Sequence, residues 1–175
     1  MQPIKILQSW LEANASAKRC LFSLQDLRAL LPSLSKSAFK TLLSRAQHAN
    51  YLDRICRGIY LYKKSLVQDG MLLFHIATLL RSNQFNYISL ETVLSDAGII
   101  SQIPMNRITI MSSGRSNIIT CNNIGTIEFI HTKRKPAEIM HDLTYDKNAQ
   151  MWRANTDLAI RDMKITRRNL DLMKL

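Results

Sequence analysis

Between positions 36 and 48 the chain carries Lys36, Ser37, Lys40, Thr41, Ser44, Arg45, Gln47 and His48, and no carboxylate. Lys and Arg meet phosphates or guanine edges, hydroxyls donate to phosphate oxygens, and a glutamine amide reads adenine, so the set suits a nucleic-acid duplex. An ordinary surface helix mixes Glu and Asp among its cations, for solubility and for pairs at four-residue spacing. A solvated helix that happens to lack acids is the bland alternative. A second cationic set, Arg54, Arg57, Lys63 and Lys64, follows directly in YLDRICRGIYLYKK.

Other chemistry is sparse. No Ser-His-Asp elbow, HExxH, P-loop or paired-cysteine motif occurs, so no catalytic residue is assigned and the chain is read as a non-enzyme. Glu138, His141, Asp142 and Asp146 fall at helical spacing and are the one candidate for a divalent ion or a nuclease centre. Solvent-facing polar residues give the same pattern, and no metal or cofactor is expected. Cys20, Cys56 and Cys121 are odd in number and scattered, which reads as reduced thiols. His75, inside MLLFHIATLL, has no second ligand at metal spacing and reads as a packed core histidine. Lys133-Arg134-Lys135-Pro136 reads as a solvated turn in preference to a second phosphate contact.

The elements that would present the first set follow from hydrophobic spacing. Ile4, Leu7, Trp10 and Leu11 predict a helix from Pro3 to about Ala13. Ser23 stands three residues before Asp26, a capping-box spacing, and Leu24, Leu27, Leu30 and Leu31 predict a second helix stopped by Pro32. Ser35 is placed to cap a third helix over residues 36–49. At about 100° per residue its polar set occupies one half-circle, while Ala38, Phe39, Leu42, Leu43, Ala46 and Ala49 occupy the other. Two short strands around Cys56-Arg57-Gly58 predict a basic hairpin with Arg54, Arg57, Lys63 and Lys64 along it. That order is the order of a winged helix-turn-helix over residues 1–65, with the third helix in the major groove and the hairpin beside it.

The charge is distributed accordingly. The chain's net charge is +11 over 175 residues; residues 1–64 hold 11 Lys+Arg against 3 Asp+Glu, and the remainder holds 13 against 10. A polyanion contact therefore belongs to the first third. No membrane span is expected, and MQPIKILQSWLEAN acquires Trp, Glu and Asn too early for a secretory signal, so a cytoplasmic, nucleoid-associated address is expected.

After a linker at Leu66 to Gly70, residues 68–175 predict a small α+β domain with an antiparallel sheet and flanking helices. MLLFHIATLL should be a buried helix. Ser89 should cap a helix over Leu90 to Ala97, with Gly98 at its end. Strands are expected at residues 107–111, 117–121 and 126–131. Ala159, Met163, Thr166, Leu170 and Met173 predict a helix within residues 155–175 that packs on the domain's own sheet.

Three stretches carry a family resemblance: RICRGIYLYKK, then YISLETVLSDAGIISQIP at 87–104, then GTIEFIH at 125–131. The chain resembles the AbiEi antitoxins of type IV toxin–antitoxin, or abortive-infection, systems over most of residues 1–165. Tyr87, Ser89, Leu90, Glu91, Leu94, Gly98 and Pro104 sit where the family pattern wants them, as do Ala159 and Asp162 later. Val93 and Ala97 depart from the family's Ala and His, and ANTDLAIRD lacks its Pro-Glu. The resemblance implies a DNA-binding repressor of its own operon that neutralises a co-encoded nucleotidyltransferase toxin, directly or through a shared target. The alternative is a plain winged-helix transcription factor whose second domain senses a ligand or dimerises. Sequence alone assigns no oligomeric state.

Overall fold

A computed structural model describes residues 1–66, 68–101, 103–104, 106–168 and 170–172. The chain is a mixed α+β protein that divides into two compact units, residues 1–69 and 70–175. The division falls within the stretch read as a linker. Among the described residues there are two sheets and seven α-helices, none long and apolar enough to cross a membrane.

In the first unit, α1 (Pro3–Asn14), α2 (Leu24–Leu30) and α3 (Lys36–His48) enclose a core of Leu7, Leu11, Phe22, Leu27, Phe39, Leu42, Leu43, Ala46 and Leu52. Serines start the second and third helices. Ser23 Oγ accepts from the Asp26 amide at 3.1 Å while the Ser23 amide donates to Asp26 Oδ2 at 2.9 Å, and Ser35 Oγ accepts from the Ala38 amide at 3.2 Å. These bonds satisfy amides that a helix start otherwise leaves open. Strand β1 (Leu21–Ser23) pairs antiparallel with β3 (Ile59–Leu61), which pairs with β2 (Asp53–Cys56), giving the sheet order β1-β3-β2. The β2–β3 turn is tight, with Gly58 at φ +80, a left-handed value glycine takes without steric cost.

Three details differ from the sequence reading. Strand β1 is new; three residues with only Phe22 buried are too short for a period of two to show. Leu24, placed with the apolar set of α2, is 41% exposed because it is the first residue of that helix and points off its core stripe. Ala38 and Ala49 are also exposed, Ala38 at the edge of the buried arc and Ala49 as the residue that ends α3.

The second unit contains α4 (Leu72–Leu80), β4 (Asn86–Ile88), α5 (Leu90–Asp96), β5 (Arg107–Ser112), β6 (Asn117–Cys121), β7 (Gly125–His131), α6 (Pro136–Ile139), β8 (Leu143–Asp146), β9 (Met151–Ala154) and α7 (Thr156–Ile165). The six strands form one sheet in the order β6-β7-β5-β4-β9-β8. The sheet is mixed, which corrects the antiparallel expectation: β5 runs parallel to β7, and β4 parallel to β9. The parallel pairs join strands distant in sequence, which local hairpin signals do not reveal.

Successive side chains along β4 and β5 point to opposite faces. Arg81, at the end of α4, reaches Ser112 and the Phe129 ring on one face, whereas Tyr87 and Thr109 reach α7 and α5 on the other. Helices therefore cover both faces. His75 is half-buried, its Nε2 lying 2.7 Å from the Asn148 carbonyl oxygen. Ser89 precedes α5 without capping it; its hydroxyl donates to Asp162 at 2.7 Å. Helix α7 ends at Ile165, so the expected helix is cut short: Leu170 lies in a separate 3-10 turn, and Met173 lies outside the described residues.

Candidate nucleic-acid interface

The acid-free face of α3 is presented outward. Lys36, Ser37, Lys40, Thr41, Ser44, Arg45 and His48 are exposed, opposite the buried Phe39, Leu42, Leu43 and Ala46. Gln47 is half-buried at the margin and its Nε2 donates to the Leu43 carbonyl at 3.2 Å, so its amide is partly occupied within the helix. Thr41 Oγ1 similarly donates to the Ser37 carbonyl at 3.1 Å. Lys36, Lys40 and Arg45 form no ion pair among the described residues. Their charge is therefore offered to solvent.

Of the hairpin cations, Arg54 on β2 and Arg57 in the turn are exposed. Lys63 and Lys64 are not on the ribbon: β3 ends at Leu61 and both fall in the 3-10 turn Lys63–Ser65. Lys63 Nζ lies 2.7 Å from Asp53 and Lys64 Nζ 3.8 Å from Glu12. Two of the first unit's four acids thus take up the two lysines that sequence spacing had extended along the hairpin. Arg28, which sequence reasoning passed over, ties the α2–α3 connection together: its guanidinium lies 5.1 Å from the Phe39 ring centre and donates to the carbonyls of Leu31 and Leu34.

In the second unit, several charged side chains meet one another across the fold. Asp162 is fully buried, accepting from Ser89 at 2.7 Å, Tyr87 at 3.0 Å and Arg134 at 3.2 Å. Burial lifts its carboxyl above the usual aspartate range, opposed by the bonds from Ser89, Tyr87 and Arg134. Burial, with the neighbouring Asp162, likewise raises the Tyr87 hydroxyl. Lys133, Lys135 and Pro136 are exposed, as a solvated turn requires, whereas Arg134 departs from that reading because its side chain folds back onto this carboxylate.

A second network joins Arg168 to Glu91 and Glu128, with Arg107 also on Glu128. The bond from Arg168 is the main cause that holds Glu128 below the ordinary carboxyl range. The partners lie 21 to 77 residues apart, so no local pattern marks them. The acidic cluster is dispersed as well. Residues 136–146 pass from α6 through a 3-10 turn into β8, Asp142 is bonded by Arg161 and Asn155, and Asp146 by Arg153. No group of three metal-ligating side chains is found among the described residues.

The fold is similar to that of the RV2827C protein from Mycobacterium tuberculosis, with a TM-score of 0.56 and 12% sequence identity over 90% of this chain. This chain spans 58% of the length of that protein. The likeness is one of fold alone. No protein-family model and no curated protein matches the chain.

Proposed function

We propose that the first unit is a winged helix-turn-helix that binds operator DNA, and that the chain is an autorepressor and antitoxin acting against a co-encoded nucleotidyltransferase toxin. The observation that carries the DNA reading is the exposed, carboxylate-free face of α3 with Arg54 and Arg57 beside it. The order α1, β1, α2, α3, β2, β3 and the three-stranded sheet support the winged-helix reading. In it α3 enters the major groove, Lys36, Lys40 and Arg45 meet phosphates or guanine edges, and Ser37, Thr41, Ser44 and His48 add hydrogen bonds. Arg54 and Arg57 meet the neighbouring backbone or minor groove.

The antitoxin half rests on the resemblance to AbiEi antitoxins. It is supported by the meeting of Tyr87, Ser89 and Asp162, three positions of that resemblance, at one buried site in the second unit. A cytoplasmic, nucleoid-associated protein follows from this reading. The test is a titration of the full chain with its own promoter duplex and with a scrambled duplex, across a range of salt. Tighter binding to the promoter is expected, with log affinity falling linearly in log salt as counterions are released. Equal, salt-indifferent affinity would remove the reading. Co-expression with the neighbouring gene product tests the second half: the chain should restore growth, and a variant carrying both Lys40→Glu and Arg45→Glu should still do so.

A further inference from the structure

Two grooves flank α3. One, of about 520 Å³, opens toward the start of α1, with Thr41 and Arg45 on its wall. The other, of about 610 Å³, lies between α3, the start of α2 and the β2–β3 hairpin. Phe39, Leu43 and Tyr60 form the floor of the second, with the exposed Leu24 at its mouth. Lys36, Lys40, Arg28 and Arg54 stand around it, and no carboxylate lines it. Its volume falls in the range of small-molecule sites, roughly 300–1,000 Å³, and its mostly apolar lining with a few charged groups matches their chemistry. A bare phosphate has no use for the apolar floor, and an uncharged apolar molecule has none for the exposed Lys36 and Lys40 on its rim. Both features are satisfied together by a ligand with an acid head and a flat apolar body.

We propose that this groove binds an amphipathic organic anion of small-molecule size, its acid group on the cationic rim and its apolar body over Leu24, Phe39, Leu43 and Tyr60. Lys36, Lys40, Ser44 and Gln47 line the groove and also belong to the face offered to DNA, so ligand and duplex exclude one another. Only this exclusion rests on the DNA reading; the ligand site stands on the groove itself. A ligand that binds the DNA-free form alone lowers operator occupancy by mass action, which makes the groove an inducer site.

The probe is 8-anilinonaphthalene-1-sulfonate, titrated into the full chain and followed by its fluorescence. N-phenyl-1-naphthylamine supplies similar rings without the sulfonate, and inorganic phosphate supplies anion without rings. One saturable sulfonate site is expected, at least tenfold tighter than the neutral amine and not displaced by phosphate at equal concentration. Leu24→Glu places a carboxylate at the mouth, at a helix start that tolerates it, and should weaken the dye at least tenfold; Arg45→Glu, on the other groove, should leave it unchanged. Promoter duplex should displace the dye from the unaltered chain.

Several equivalent dye sites, or an affinity indifferent to Leu24→Glu, overturns the proposal. Duplex binding without any saturable dye site also overturns it and assigns the groove to a DNA strand. A dye site with all these properties in a chain that binds no duplex upholds the ligand site and sinks the DNA reading instead, so the two failures are distinguishable.

Discussion

The two units use their cations in opposite ways. In the first, Lys36, Lys40 and Arg45 project from one helix face with no carboxylate to meet them among the described residues, while Lys63 and Lys64, beyond the hairpin, are paired with Asp53 and Glu12. In the second, Arg107, Arg134, Arg153, Arg161 and Arg168 each take at least one carboxylate. Five arginines of the second unit therefore connect its elements through carboxylates, while Lys133, Lys135, Lys147 and Lys164 stay exposed. Net charge alone does not distinguish a surface made for a polyanion from a basic composition; the fraction of cations left unpaired on one face does.

The largest expected effect lies at the most buried of these connections. Replacing Asp162 by Ala strands the Tyr87 and Ser89 hydroxyls and leaves Arg134 without its partner. Breaking a buried pair from one side costs about 3–5 kcal/mol. Urea unfolding of the full chain should show this loss in the second unit's transition, with Asp162→Asn retaining part of it. A change under about 1 kcal/mol would mean that this carboxylate does not organise the unit.

Charge reversal at Lys40 or Arg45 should do the converse. Each change is expected to weaken promoter binding by about 1–3 kcal/mol while leaving the unfolding transition in place, because neither side chain is buried or ion-paired. Loss of stability in step with loss of binding would erase the contrast between the units.

The sequence was most legible where the relevant physics is local. The Ser23 and Ser35 caps, the glycine turn at Gly58 and the period of α3 all act within a few residues, and each is found where spacing placed it. Pairings across the sheet were not legible. Strands β4, β8 and β9 are three or four residues long, and the parallel partners Tyr87 and Trp152 lie far apart in the chain. Ser89 shows the ambiguity at one residue: a serine before a helix reads as a cap, yet its hydroxyl does more by bonding a buried carboxylate 73 residues away. In the candidate interface, exposure of the α3 face followed from its period, whereas the withdrawal of Lys63 and Lys64 depended on Asp53 and Glu12 being folded against them.

The Arg168 network predicts how the second unit responds to acid. The folded-state pKa of Glu128 lies below its ordinary value of 4.5, so the unfolded chain binds more protons in that window. The stability it contributes is present above that value and is lost as the pH falls through the folded pKa. Asp162, whose folded pKa is raised, has the opposite sign and becomes less costly to bury as it is protonated. Glu128→Gln should cost about 1–2 kcal/mol at neutral pH, measured by chemical unfolding, and should flatten the acid limb of the stability curve. An unchanged limb would place the acid sensitivity elsewhere.

The smallest effect is the most discriminating for the interface itself. Lys64 is exposed and lies within the basic run that follows the hairpin, so composition alone ranks it with Lys40. Its ammonium nevertheless faces Glu12 from a 3-10 turn beyond β3. An exposed pair of this kind is worth at most about 1 kcal/mol, and a phosphate would have to compete with the acid for the same cation. Lys64→Gln should therefore change promoter affinity less than about twofold and leave the salt slope unaltered, whereas Lys40→Gln should reduce that slope by about 0.9 for the phosphate contact it removes. Measuring both slopes side by side separates a surface defined by unpaired cations on one helix from one defined by total positive charge. Equal changes at the two lysines would favour the latter.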